Sequence, residues 1–119
     1  MPTDDETASF GEWMDTLPAR AAPREDAAAV ERGRALFDGD AGCVACHSGE
    51  MRTDNRNIDV GTGGLFQIPA LYETVYRAPF LHDGSVDTLE ELIAAEHGAP
   101  PRSLTGSEAA DLVAYLRSL

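Results

Sequence analysis

An all-α fold of about four to five short helices is what this 119-residue chain predicts. Three observations carry it. Apolar residues recur at three- and four-residue steps in four stretches, around Trp13, Val30, Leu92 and Leu112. Thr-x-x-Glu capping boxes stand before two of them, at Thr88 to Glu91 and Thr105 to Glu108. The third is Cys43-Val44-Ala45-Cys46-His47, two thiols three positions apart followed directly by an imidazole, the arrangement that attaches a c-type haem. Each thiol can close a thioether to a haem vinyl group, and His47 is held where it reaches the iron. The helices are therefore expected to gather round one covalently bound haem.

A domain of this size buries only about two-thirds of its surface, so a flat apolar cofactor adds to a small core. Cys43 and Cys46 are the only cysteines. A redox-active disulfide would use their spacing but leave His47 idle. A structural zinc site wants four ligands, and His82 and His97 supply the number without a second cysteine pair. Haem accounts for all three residues of the motif.

The formal charge is -12, from 21 acidic residues against 9 basic ones, and every basic residue is arginine. Such a surface disfavours nucleic acid and anionic lipid, and suits a basic or mixed-charge redox partner, docked or fused in a longer natural chain. It is equally what a purely solubilising surface, or a salty environment, would select. No stretch approaches the length needed to cross a bilayer, and no basic segment followed by an apolar core opens the chain. Covalent haem attachment generally takes place outside the cytoplasm. The expected location is periplasmic or otherwise extracytoplasmic, with a leader sequence not present in this chain.

Residues 1–26 carry seven acidic and two basic side chains together with Pro2, Pro18 and Pro23, a linker-like composition. Within them Phe10, Trp13, Met14 and Leu17 follow helical spacing, so a short helix is expected to lay one apolar side on the domain. The domain proper is expected over residues 27–119. Its first helix, Ala27 to Phe37, turns Val30, Gly33, Leu36 and Phe37 to one face. Gly33 costs helix propensity, about 1 kcal/mol against Ala, which a close helix crossing would explain. Gly39 and Gly42 then free the backbone to bring the cysteines round.

From Ser48 to Leu65 turn formers dominate and periodicity disappears, so a loop wrapping a haem edge is expected. Arg52, Arg56 and Arg77 are the candidates to pair with a haem propionate. The run from Leu65 to Tyr72 is apolar enough for core, and Pro69 is placed to open a short helix to about Val75. Arg77 to Ser85 reads as a rigid loop around Pro79 and Gly84. The helix after Thr88 is expected to run to about Glu96, with Leu89, Leu92 and Ile93 on one side, and to stop at Gly98, Pro100 and Pro101. His97 then falls in its last turn, on that inner side. The C-terminal helix presents Ala109, Leu112, Val113 and Leu116 inward with Tyr115 at the flank, and its natural partner is the first helix, across Gly33.

Arg32-Gly33-Arg34-Ala35-Leu36-Phe37, the Cys43 to His47 motif, and Leu104-Thr105 leading into Leu112 to Leu116 resemble a class I cytochrome c domain. Thr53-Asp54-Asn55, Gly61-Thr62, Ile68-Pro69-Ala70-Leu71 and the Ala78 to Ser85 run through Glu91 are similar to the C-terminal domain of bacterial di-haem cytochrome c peroxidases and MauG-like proteins. The resemblance covers about residues 27–119 and implies a cytochrome c-like fold. It makes His82 a haem-pocket residue near a propionate. Two departures stand out. The family enzymes carry two haems and this chain has one motif. Where they place a Met or Tyr ligand, this chain has Glu96, with His97 beside it.

His47 is expected on one side of the iron and His97 on the other, since imidazole binds iron well and His97 lies next to the family's ligand position. Met51, Met14, His82, Glu96 and water are the alternatives. Two strong ligands close the iron to peroxide, so the expectation is a mono-haem electron carrier, or the electron-entry domain of a larger oxidoreductase, rather than an enzyme. The alternative is a peroxidase or MauG-like haem enzyme domain with Glu96 or His82 moving a proton, or a haem sensor whose sixth ligand dissociates.

Overall fold

Side-chain caps decide where each helix begins. Thr3, Asp26, Thr88 and Thr105 hold extended backbone and accept hydrogen bonds from the N–H groups of Glu6, Ala29, Glu91 and Glu108. Four helices follow: α1 over Asp4–Asp15, α2 over Ala27–Asp38, α3 over Leu89–Ala94 and α4 over Gly106–Ser118. In α1, α3 and α4 the glutamate at the third position bonds back to the cap backbone, completing the box. The computed structural model describes residues 1–95, 97, 98 and 102–119.

The core lies where α2 crosses α4. Gly33 is buried there, and a Cβ on it would fall 2.0 Å from the Asp111 carbonyl oxygen and 2.8 Å from the Tyr115 Cβ, so only glycine lets the two backbones approach this far. Phe37, Leu112, Val113, Tyr115 and Leu116 fill the contact, and Phe80 and Leu89 join them from the loop and from α3. Arg32 clamps the crossing with two hydrogen bonds of 2.7 Å to the Asp111 carboxylate. Arg117 reaches Glu90 at 2.7 Å and ties α4 to α3. Tyr115, expected at the flank, is 3% exposed: it meets Gly33 and the edge of Phe37 in the crossing, and the Arg52 guanidinium lies 5.7 Å over its ring.

Several local expectations are corrected. Pro69 opens no helix; a 3-10 turn appears later, at Thr74–Tyr76, because Glu73 adopts a left-handed conformation and gives its N–H to the Leu119 carbonyl. The 48–65 loop ends in a small antiparallel ladder, β1 (Asn57–Ile58) against β2 (Phe66–Gln67). Of the apolar run after Leu65, Ile68 is buried, while Leu65 is 71% exposed and Phe66 and Tyr72 keep open faces. Helix α3 stops at Ala94 with Ala95 as its cap, so His97 falls beyond the helix and not in its last turn. Glu96 and the Pro100-Pro101 stop lie outside the described residues.

Helix α1 forms as its spacing predicts but buries none of its residues. Trp13 is 54% exposed and Phe10, Met14 and Leu17 are similarly open, so the expected packing against the domain does not occur. The chain after it is pinned instead: the Arg20 N–H bonds a Glu73 carboxylate oxygen at 2.7 Å, and the Tyr76 hydroxyl bonds the Ala21 carbonyl at 2.9 Å. That clasp leaves α1 projecting, which accounts for a radius of gyration of 16.1 Å against about 13.5 Å for a compact domain of this length.

Candidate haem site

Gly42, left-handed at φ 71°, turns the chain out of α2 into a 3-10 turn at Cys43–Ala45. The His47 N–H then reaches back to the Cys43 carbonyl at 2.9 Å. One tight turn thus carries both thiols and the imidazole. Cys43 and Cys46 are free and half-buried, and burial pushes the Cys43 thiol above its ordinary pKa.

His47 Nδ1 lies 3.0 Å from the Arg52 carbonyl oxygen. A carbonyl only accepts, so the proton sits on Nδ1 and the Nε2 lone pair is left for a metal. Burial lowers the His47 pKa and keeps the ring neutral, the Arg52 carbonyl works in the opposite direction, and the neighbouring charge of His97 lowers it further. The ring is tilted against Phe37 at a centroid distance of 6.3 Å.

The long loop is clipped onto this turn. The Asp54 N–H bonds the Cys46 carbonyl at 3.1 Å, and Arg56 reaches the Ala45 carbonyl at 3.0 Å and Asp54 at 2.6 Å. Its far end returns through the Thr53 hydroxyl to the Ile68 carbonyl at 2.5 Å and the Ile68 N–H to the Arg56 carbonyl at 2.9 Å.

His97 is near enough for its charge to act on His47. It is half-buried, and its Nδ1 donates to the Leu92 carbonyl at 3.3 Å, with no bond to Nε2 among the described residues. His82 is exposed and stacks on Phe66, with centroids 3.5 Å apart and planes 15° from parallel. Arg77 spends one N–H on the Ala70 carbonyl at 2.9 Å, leaving its other donors open to solvent. Arg52 and Arg56 are paired with Asp38 and Asp54. Met51 is exposed on the loop after the motif, and Met14 is exposed on α1, which buries nothing. Glu96 is outside the described residues. Phe66, read as core from its apolar run, was missed as a site residue. Its signal was a place between turn formers and opposite the His82 loop.

These residues fit a c-type haem. Two free thiols and a lone pair on one turn match its vinyl groups and iron. Val44, Leu65 and Phe66 offer exposed apolar surface suited to a flat ring. The chain carries one haem c through Cys43 and Cys46, and among the described residues no helix is long and apolar enough to cross a membrane.

The cytochrome c family profile matches residues 30–119. Cytochrome-c peroxidase IdrP1 of Denitromonas iodatirespirans is 27% identical over 77% of this chain and 40% of its own length. Methylamine utilization protein MauG of Methylorubrum extorquens is 28% identical over 95% of this chain and 43% of its own. The crystal structure of a MauG-like protein associated with microbial copper homeostasis superposes with a TM-score of 0.62 at 26% identity, covering 76% of this chain and 46% of that one. The chain spans less than half the length of each curated relative it matches.

These relatives overturn the expectation of a carrier that is not an enzyme, because they are named as peroxidases and MauG proteins throughout. That expectation rested on two strong iron ligands and on a single haem motif, and neither, read from under half of an enzyme's length, argues against catalysis. The family profile over three-quarters of the sequence, together with the thiol and imidazole turn it spans, makes this chain a member of the cytochrome c family, related to the cytochrome c peroxidases and MauG.

Proposed function

We propose that residues 27–119 form a haem domain of a peroxidase or MauG-like oxidoreductase, with residues 1–26 as an acidic extension. His47 holds the iron, and His97 is a second, displaceable ligand. The observation that carries this reading is how lightly His97 is held. It lies beyond the end of α3, and among the described residues it makes one hydrogen bond, of 3.3 Å. His47, also half-buried, is ordered by a 3.0 Å bond and backed by Phe37.

A bound haem would supply the iron for peroxide chemistry. The protein's part is to keep His47 neutral and oriented and to let His97 swing aside on its short tether. His82, exposed and stacked on the face of Phe66, is the candidate to pass a proton. Arg77 keeps donors for a propionate. The partner is a redox protein of basic or mixed charge, suited to the acidic surface, and the setting is extracytoplasmic, where covalent haem attachment generally takes place.

The test is carbon monoxide and peroxide added to the ferrous holoprotein. Expected are a carbon monoxide complex that forms slowly, limited by loss of His97, and oxidation of the iron by peroxide. Low-spin bands that neither reagent alters would overturn the proposal.

A further inference from the structure

We propose that the Arg52 side chain is a brace that fixes the rotation of the His47 imidazole and its strength as a donor to iron; this rests on the reading of His47 as the haem ligand. Residue 52 meets His47 through its main chain, where its carbonyl takes the Nδ1 proton at 3.0 Å. The carbonyl points that way because Arg52 is left-handed, at φ 52°. Glycine takes that conformation freely, whereas a residue with a side chain holds it only where its surroundings do so.

The surroundings converge on the guanidinium. One of its nitrogens donates to Asp38, the last residue of α2, at 2.9 Å. Its central carbon lies 5.1 Å from the centre of the Phe37 ring and 5.7 Å from that of Tyr115. Phe37 is 1% exposed and is the ring against which His47 leans. The Tyr115 hydroxyl is buried without a hydrogen-bond partner among the described residues, and the guanidinium over its ring is its nearest charged neighbour on that side. The Arg52 side chain is 22% exposed, so solvent competes little for it. One side chain thus joins the end of α2 and two core rings to the turn whose carbonyl orients the ligand.

The consequence is electronic as well as geometric. A hydrogen bond from Nδ1–H to a carbonyl makes an imidazole more basic toward its metal, and a loosened carbonyl gives a weaker and less ordered donor. Lysine separates this role from simple charge. It keeps the positive charge but has no planar fork to span a carboxylate and two rings.

The experiment uses the ferric holoprotein and two variants, Arg52→Lys and Asp38→Asn, read by the paramagnetic proton shifts of the haem methyl groups and by the midpoint potential. The methyl shifts report the plane of the axial imidazole. Expected are a changed spread and broader lines in both variants, and a raised potential in Arg52→Lys. Asp38→Asn leaves residue 52 intact, so it still reads the brace if the lysine protein folds poorly. Methyl patterns that superimpose on wild type in either variant overturn the brace alone. A wild-type protein without an axial histidine signature overturns the brace and the reading of His47 together.

Discussion

Gly33 and Asp111 approach so closely that a single added methyl would sit 2.0 Å from the Asp111 carbonyl oxygen. The obstacle is helix backbone on both sides, with Tyr115 Cβ at 2.8 Å, so no flexible side chain can swing away. The crossing has to open, and with it the packing of Phe37 and Leu112, the two most deeply buried large side chains.

Gly33→Ala is therefore expected to destabilise the domain by about 3 kcal/mol, the upper range for overpacking. The helix propensity it gains is worth only about 1 kcal/mol, so the overlap decides the sign. Thermal unfolding of the holoprotein checks this. An unchanged or raised midpoint would mean that α2 and α4 cross elsewhere.

If His97 is the displaceable ligand proposed above, removing its imidazole takes away the group that has to leave before an outside ligand binds. His97→Ala is expected to convert the iron to a high-spin form, raise its potential, and speed carbon monoxide binding about tenfold or more, equivalent to about 1.4 kcal/mol no longer needed for displacement. Stopped-flow mixing of the ferrous protein measures it. A rate and spectrum identical to wild type would remove His97 from the iron.

What could be read in the sequence was what short-range physics decides. The boxes at Thr88 and Thr105 act over three residues, and both form. The Gly33 crossing was legible because glycine inside a good helix needs a reason. Tyr115 was misplaced because its burial depends on residues far away in the chain, Gly33 and Phe37 in the crossing and Arg52 over its ring. The apolar run after Leu65 was misread because burial depends on what covers a segment, and apolar side chains around a haem pocket look like core in sequence. His97 was placed in a helix that α3 ends three residues earlier. The chemical class was mistaken for another reason: the expectation rested on two strong iron ligands, and ligand spacing does not encode whether a haem domain belongs to an enzyme.

Acid should loosen the start of α4. The Arg102 guanidinium, helped by the Thr105 N–H and hydroxyl, holds the Glu108 carboxyl down at about 2 from its ordinary 4.5. A folded value below the unfolded one means that the interaction contributes fully above pH 4.5 and is lost as pH falls toward about 2. Glu108→Gln keeps an oxygen for the capping box but no charge for Arg102. Its stability is expected to fall less steeply than wild type across that window, by denaturant unfolding at stepped pH. Parallel curves would show that the pair contributes nothing.

Because α1 buries nothing, its removal should leave the haem domain as it was. Deletion of residues 1–17 is expected to change stability by less than about 0.5 kcal/mol, the range for surface changes that disturb no packing. A lone helix of this length is marginal in water, so in the full chain its part of the circular dichroism should melt gradually, below the cooperative transition. Extending the cut through residue 24 is different in kind. It removes the Arg20 bond to Glu73, the Tyr76 bond to Ala21, and the Arg20 guanidinium lying 5.0 Å over the Tyr76 ring. The two hydrogen bonds suggest a loss of about 1 to 2 kcal/mol. Equal stabilities for the two truncations would mean that the clasp is idle, whereas a large loss on the shorter cut would mean that α1 packs on the domain after all.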